Sequence, residues 1–178
     1  IYCHVYGEKG QASQFYKHLF QRKKKRRPHK ARRSKDRIPD RVSIHHRPQA
    51  IDNRENIGDW EADYMIFKNH QPLLVLHERK SRVVLAVKLF GRSAAETIAA
   101  LTAKLAKLGK GLAKSVTFDN DTGFSLHRHL TDRLGIKTYF CDAYASWQKG
   151  GVENSNGRLR RWLPKRRDLS KVSEKEID

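Results

Sequence analysis

WEADYMIFKNHQPLLVLHERKSRVVLAVKLF, residues 60–90, contains three apolar runs separated by short polar breaks. In WEADYMIF (60–67) a period of two puts Glu61, Asp63, Met65 and Phe67 on one face of a strand, and Trp60, Ala62, Tyr64 and Ile66 on the other. PLLVLHE (72–78) and VVLAVKLF (83–90) read as two more strands joined by the polar turn RKSR (79–82). Connections this short predict an antiparallel meander.

Downstream, the period changes. Ser93-Ala-Ala-Glu96 has the pattern of a capping box, and Ile98, Leu101, Leu105 and Leu108 follow at helical spacing until Gly109. SVTFD (115–119) reads as a strand ending in an acid. FSLHRHLTDRL (124–134), with leucines four apart, reads as a helix, and GIKTYFCD (135–142) as a fifth strand. Residues 146–163 are expected to form a third helix, weakened at its start by Gly150 and Gly151. The order β-β-β-α-β-α-β-α predicts an α/β fold, a mixed five-stranded sheet with helices on both faces. No internal repeat is apparent.

The 178 residues carry a formal charge of +19, and that charge is concentrated. Residues 21–37 hold eleven Lys/Arg and one Asp, and residues 146–167 hold seven Lys/Arg and one Glu. Such clustering fits a polyanion-binding surface. Residues 21–56, basic and then punctuated by Pro28, Pro39 and Pro48, read as a linker or DNA-tracking arm, leaving 57–178 as the folded domain and 1–20 as the tail of a preceding one. Arg22, Lys23, Lys24, Lys25, Arg26 and Arg27 are candidate phosphate contacts. Cys3 and Cys141 have no ligand spacing and read as reduced thiols of a cytoplasmic protein. His45, His46, His127 and His129 propose surface or packing roles. No apolar run approaches the ~20 residues a bilayer crossing needs. Met65 is the only methionine, so the chain is expected to be part of a longer protein.

Three acids stand out by position: Asp63 in mid-strand, Asp119 at a strand end, and Glu153 on the last helix. Strand ends are where α/β folds place their sites. Carboxylates about 4 Å apart repel by roughly 4 kcal/mol at an effective dielectric near 20, so convergence of all three would imply a bound divalent cation. Oxygen donors of this kind suit Mg²⁺ or Mn²⁺, and two such ions serve phosphodiester chemistry. On spacing alone, each acid could equally be a solvated or salt-bridged carboxylate.

WEADY around Asp63, TFDNDTGF around Asp119 and YFCDAYASWQKGGVENSNGRLRRWLPK around Glu153 resemble, in order, the three motifs of DDE transposases and retroviral integrases. ERKSR (78–82) and RIPDRVSI (37–44) narrow the resemblance to the bacterial insertion-sequence family thirty, and IYCHVY at the start looks like the end of that family's helix-turn-helix region. Between Asp119 and Glu153 lie 33 residues, within the family's habit. The resemblance implies a ribonuclease-H-like catalytic core with Asp63, Asp119 and Glu153 as catalytic, metal-binding acids. It implies two Mg²⁺ or Mn²⁺ ions, DNA as partner (element ends and target) and a synaptic homo-oligomer. It further implies a bacterial, nucleoid-associated setting and a core that continues beyond Asp178. The implied activity is DNA cleavage and strand transfer. A ribonuclease-H-type nuclease and a catalytically dead DNA-binding remnant are the alternatives. Asp59 and Glu61 compete for the first acid position; Asp121, Asp132 and Asp142 compete for the second. The sequence departs from the family after Asn120, where Asp121-Thr122-Gly123-Phe124 brings an extra acid and a displaced glycine, and where Ala143 and Ala145 replace frequent prolines.

On the last helix, Glu153, Asn156 and Arg160 share one face, with Val152, Leu159 and Leu163 as an adjacent apolar stripe. The stripe would pack on the sheet while Asn156, Arg158, Arg160, Arg161 and Lys165 face DNA. Trp147 and Gln148, in a flexible lead-in, could stack on or hydrogen-bond to a displaced base; simple packing is the other reading of Trp147.

Overall fold

A computed structural model describes residues 2–19, 22, 24 and 38–177. The chain divides into two units, Ile1–Lys35 and Asp36–Asp178. The first holds two short helices, α1 (Tyr2–Tyr6) and α2 (Glu8–Ala12), and a 3-10 turn at Phe15–His18. Arg22 and Lys24 are exposed. Lys23, Lys25, Arg26 and Arg27, and the Cys3 side chain, lie outside what is described.

The second unit is a five-stranded sheet of order β3-β2-β1-β4-β5. Its strands are β1 (Asp59–Ile66), β2 (Pro72–Glu78), β3 (Val84–Lys88), β4 (Ser115–Phe118) and β5 (Lys137–Phe140). β1, β2 and β3 pair antiparallel as the meander predicted, whereas β4 and β5 run parallel to β1. Helix α3 (Gln49–Asp52) precedes the sheet; α4 (Ala94–Ala106), α5 (Arg128–Leu134) and α6 (Gly150–Leu159) follow the strands in the expected order. Among the described residues no helix is long and apolar enough to cross a membrane.

The alternation in β1 is realised on both faces. Trp60 and Ala62 pack with Leu74, Leu76, Val116, Phe118, Leu101, Leu105 and Leu130 in one core, under α4 and α5. Met65 and Phe67 join Leu73, Val75, Val152 and Leu163 in a second, under α6. Leu73, Leu74, Val75 and Leu76 are 0% exposed, so β2 is sandwiched between the two layers. Each such side chain contributes about 1.5–3 kcal/mol on burial.

Several expected boundaries move. Residues 38–56 are not an unpacked arm: Ile38, Ile44 and Ile51 are buried, and Phe140 donates its N–H to the Val42 carbonyl. The sparse isoleucines of this segment seat it beside the sheet despite its polar composition. The capping box at Ser93 is half formed: the Ser93 hydroxyl accepts from Glu96 N–H, but the Glu96 carboxylate turns to the N–H groups of Phe90 and Gly91. The expected helix 124–134 begins only at Arg128, behind a 3-10 turn at Thr122–Phe124, which leaves Leu126 exposed. The expected helix 146–163 splits into a 3-10 turn (Ser146–Lys149) and α6, so Leu163 is buried beyond the helix end.

Candidate active site

The parallel pairing of β1 and β4 sets the site. Trp60 lies beside Val116 and Glu61 beside Thr117. Extending that register by two brings Asp63 level with Asp119, on the same face of strands about 4.8 Å apart. Like charges so placed repel, and the fold supplies a cation. The Lys149 ammonium lies 3.1 Å from Asp63 Oδ1 and 3.2 Å from Asp119 Oδ2, with its side chain only 5% exposed. The remaining oxygens are oriented too: Asn156 Nδ2 donates to Asp63 Oδ2 at 2.9 Å, and Asp121 N–H donates to Asp119 Oδ1 at 3.0 Å.

One ammonium does not balance two carboxylates. Burial pushes the Asp63 carboxyl above the ordinary aspartate value; the pull of Lys149 opposes the rise and the charge of Asp119 adds to it. Burial works to lower the Lys149 pKa, but the fields of Asp63 and Asp119 carry it above its ordinary value. The pair therefore remains short of positive charge.

Glu153 lines the same cleft, of about 630 Å³, together with Asp63, Asp119, Tyr144 and Lys149. It is exposed and has no hydrogen-bond or ion-pair partner among the described residues. The expected three-way convergence is thus two acids held together and a third on the cleft wall: among the described residues, no three His, Cys, Asp or Glu side chains are grouped closely enough to hold a metal ion. The donor chemistry nonetheless fits a hard divalent cation, since two oriented carboxylates already share a positive charge and a third faces the same space.

The start of α6 is fixed by a buried polar network beneath this pair. Glu61, 1% exposed, accepts from Val152 N–H at 2.9 Å and forms an ion pair with Arg79. Arg79 also donates to the Ile51 carbonyl, and His77 Nδ1 shares a 2.8 Å hydrogen bond with Ser155 Oγ. An added Cβ on Gly151 would come within 2.7 Å of Glu61 Oε2 and 2.8 Å of His77 Nε2, so only glycine allows this approach. Three glycines make α6 a poor helix on propensity alone, at about 1 kcal/mol each; the network and Val152 hold it where Lys149 and Glu153 reach the cleft.

The competing acids have other partners, although Asp121 and Asp142 also line the cleft. Asp59 accepts from Ser115 Oγ and Glu61 belongs to the network. Asp121 pairs with Arg92 at 3.1 Å and caps Gly123 N–H, which engages both oxygens of the extra acid. The displaced Gly123 has its own cause, because a Cβ there would stand 2.3 Å from the Tyr64 hydroxyl. Asp142 pairs with His45 at 2.7 Å, and Asp132 lies at the surface 4.0 Å from Arg128. His127 is buried between Thr138 and the Pro39 carbonyl. Burial pushes the Cys141 thiol up to about 11.

The candidate DNA contacts divide. Trp147, 75% exposed, and Arg158, Arg161 and Lys165 face solvent. Asn156 is turned to Asp63, and Arg160 lies 4.4 Å over the Phe67 ring while donating to the Ile66 carbonyl. Gln148 is bonded at both ends of its amide to Asp142, within the 3-10 turn Ser146–Lys149. Sequence reasoning missed Lys149 and the Glu61–Arg79 pair. The available signal for Lys149 was a base four residues before Glu153, in a fold that sets two acids side by side.

No protein-family model matches the chain. Over 142 residues, 79% of the chain, it is 42% identical to the transposase for insertion sequence element IS1086 of Cupriavidus metallidurans, covering 42% of that protein. It is 35% identical over 154 residues, 86% of the chain, to transposase InsI for insertion sequence element IS30A of Escherichia coli K12, covering 40% of it. The chain thus spans under half the length of these relatives. In structure it is similar to a simian T-cell lymphotropic virus intasome, solved with the PP2A regulatory subunit B56 gamma. That likeness has a TM-score of 0.53 and 25% identity, and covers 61% of this chain and 40% of the other. The similarity to the IS30A transposase thus runs through most of this chain, whose mixed five-stranded sheet is of ribonuclease-H-like type.

Proposed function

We propose that this chain is the catalytic part of a transposase that cuts DNA at the ends of its insertion sequence and joins those ends to target DNA. The observation that carries the proposal is the pairing of Asp63 and Asp119 about a single cation, at the ends of a parallel register, with Glu153 lining the same cleft. Asp63 and Asp119 would hold Mg²⁺ or Mn²⁺, and Glu153 would complete the shell of a second ion. Bound there, such ions supply Lewis-acid stabilisation of phosphoryl oxygens and a more acidic water.

The chain's own residues orient and bind. Asn156 and the Asp121 N–H fix the carboxylates, so that reacting oxygens meet a preset arrangement. Exposed Arg158, Arg161 and Lys165 neutralise backbone phosphates beside the cleft, and Trp147 offers a face on which a base can stack. In the first step, water attacks phosphorus at the element end, the bond to the 3′-oxygen breaks, and that oxygen leaves as a hydroxyl. In the second, this hydroxyl attacks a target phosphodiester, one P–O bond forms, and the target's own 3′-oxygen leaves. No covalent protein–DNA bond is needed. Joining two ends calls for a synaptic homo-oligomer.

A strand-transfer assay with pre-nicked element ends, Mg²⁺ or Mn²⁺, and Asp63→Asn as control tests this reading. Joined products that vanish in the variant are expected. Cleavage without joining would indicate a ribonuclease-H-type hydrolase, and binding without cleavage a DNA-binding remnant.

A further inference from the structure

Lys149 occupies the place where the proposed function needs a metal ion. Its ammonium contacts Asp63 Oδ1 and Asp119 Oδ2, and those two carboxylates are its described partners. A divalent ion takes oxygen ligands at about 2.0–2.1 Å for Mg²⁺, so it and an ammonium cannot both sit between the same oxygens. The lysine is well placed to give way. Its backbone closes the 3-10 turn Ser146–Lys149, and the helix that follows is anchored separately, by Glu61 to Val152 N–H and by Ser155 to His77. The side chain can therefore swing on its four-carbon stem without undocking α6.

We propose that Lys149 is a resident counter-ion: it holds Asp63 and Asp119 together in the metal-free protein and is expelled from between them when a divalent cation loads. This rests on the reading of Asp63 and Asp119 as metal ligands. Repulsion between two carboxylates on adjacent parallel strands is thereby neutralised before any metal arrives, at the expense of metal affinity. A lysine in this place is a competitor of the cation rather than a helper.

The test uses the whole chain and Mn²⁺ alone as probe, with binding followed by calorimetry or by the paramagnetic resonance of free Mn²⁺. Lys149→Met should bind Mn²⁺ at least about tenfold more tightly than the unmodified chain, because charge-assisted contacts to two carboxylates no longer compete. In EDTA the same variant should melt below the unmodified chain, and saturating Mn²⁺ should close the gap. A second measurement needs no variant. Amine-reactive labelling read by mass spectrometry should find Lys149 protected in EDTA and labelled once Mg²⁺ is added. Equal or weaker Mn²⁺ binding by Lys149→Met, or labelling of Lys149 that Mg²⁺ does not change, overturns the counter-ion role. If neither chain binds Mn²⁺, and Asp63→Asn makes no difference, the metal reading falls as well. Binding that Asp63→Asn abolishes but Lys149→Met leaves unchanged removes the counter-ion role alone.

Discussion

Two neighbouring glycines at the start of α6 should respond to alanine in opposite ways. A Cβ on Gly151 would meet Glu61 Oε2 at 2.7 Å, His77 Cδ2 at 2.7 Å and His77 Nε2 at 2.8 Å. Neither neighbour is free to move: Glu61 is tied to Arg79 and Val152, and His77 to Ser155. Restoring ordinary contact of about 3.5 Å shifts the helix start by roughly 1 Å. Overpacking of this kind costs about 1–3 kcal/mol, against a helix-propensity gain of up to about 1 kcal/mol. The net loss, up to about 3 kcal/mol, should lower the melting temperature by up to roughly 10 °C. The functional loss should be larger, because Lys149 and Glu153 flank the shifted residue and a displacement near 1 Å costs on the order of 100-fold in rate. At Gly150, helical at φ −57° and ψ −24°, an added Cβ meets nothing within 4 Å. Gly150→Ala should stabilise by about 0.4–1 kcal/mol and leave strand transfer intact. Thermal melts, DNA affinity and strand-transfer rate measured on both variants check this. Strand transfer by Gly151→Ala within about threefold of the unmodified protein, or equal damage from Gly150→Ala, would refute the account of how α6 is seated.

Other expectations follow from single contacts. Burial holds the His77 pKa below its ordinary 6.5, so the unfolded chain takes up the proton first; stability is full above about pH 6.5 and is lost as pH falls through the folded value. His77→Asn, which keeps an acceptor for Ser155, should flatten that acid limb in melts run across pH. Arg160→Met should cost about 1–2 kcal/mol through the lost Phe67 and Ile66 contacts without changing the salt dependence of DNA binding. Arg158→Ala should leave the melt unchanged and flatten the slope of log K against log salt by about 1. Replacing all six residues of 22–27 with alanine should flatten the same slope by up to about 5, similarly on all DNA sequences; an unchanged slope would remove the run from the interface.

What the sequence made legible was governed by short-range periodicity. The β1 alternation was readable because both faces of a central strand pack, with Trp60, Ala62 and Tyr64 in one layer and Met65 and Phe67 in the other. Asp119 was readable because it follows directly on a buried four-residue strand. Lys149 was not, because among seven bases in one segment nothing local separates a lysine facing two carboxylates from one facing solvent; its partners lie 86 and 30 residues away. The Glu61–Arg79 pair likewise exists only through the β1–β2 register, which sets Glu61 opposite His77. Ile38, Ile44 and Ile51 are too widely spaced to show a period, so a packed segment read as an arm. Helix ends moved where 3-10 turns, capped by Asp121 or leading into Gly150, replaced the first helical turn.

Anomalous scattering at the manganese edge, from crystals grown with Mn²⁺, addresses the metal centre itself. A peak between the Asp63 and Asp119 carboxylates, with Glu153 turned toward it and Lys149 withdrawn, is the predicted result. An intact sheet with no manganese in this cleft, or with manganese bound only elsewhere, would contradict it.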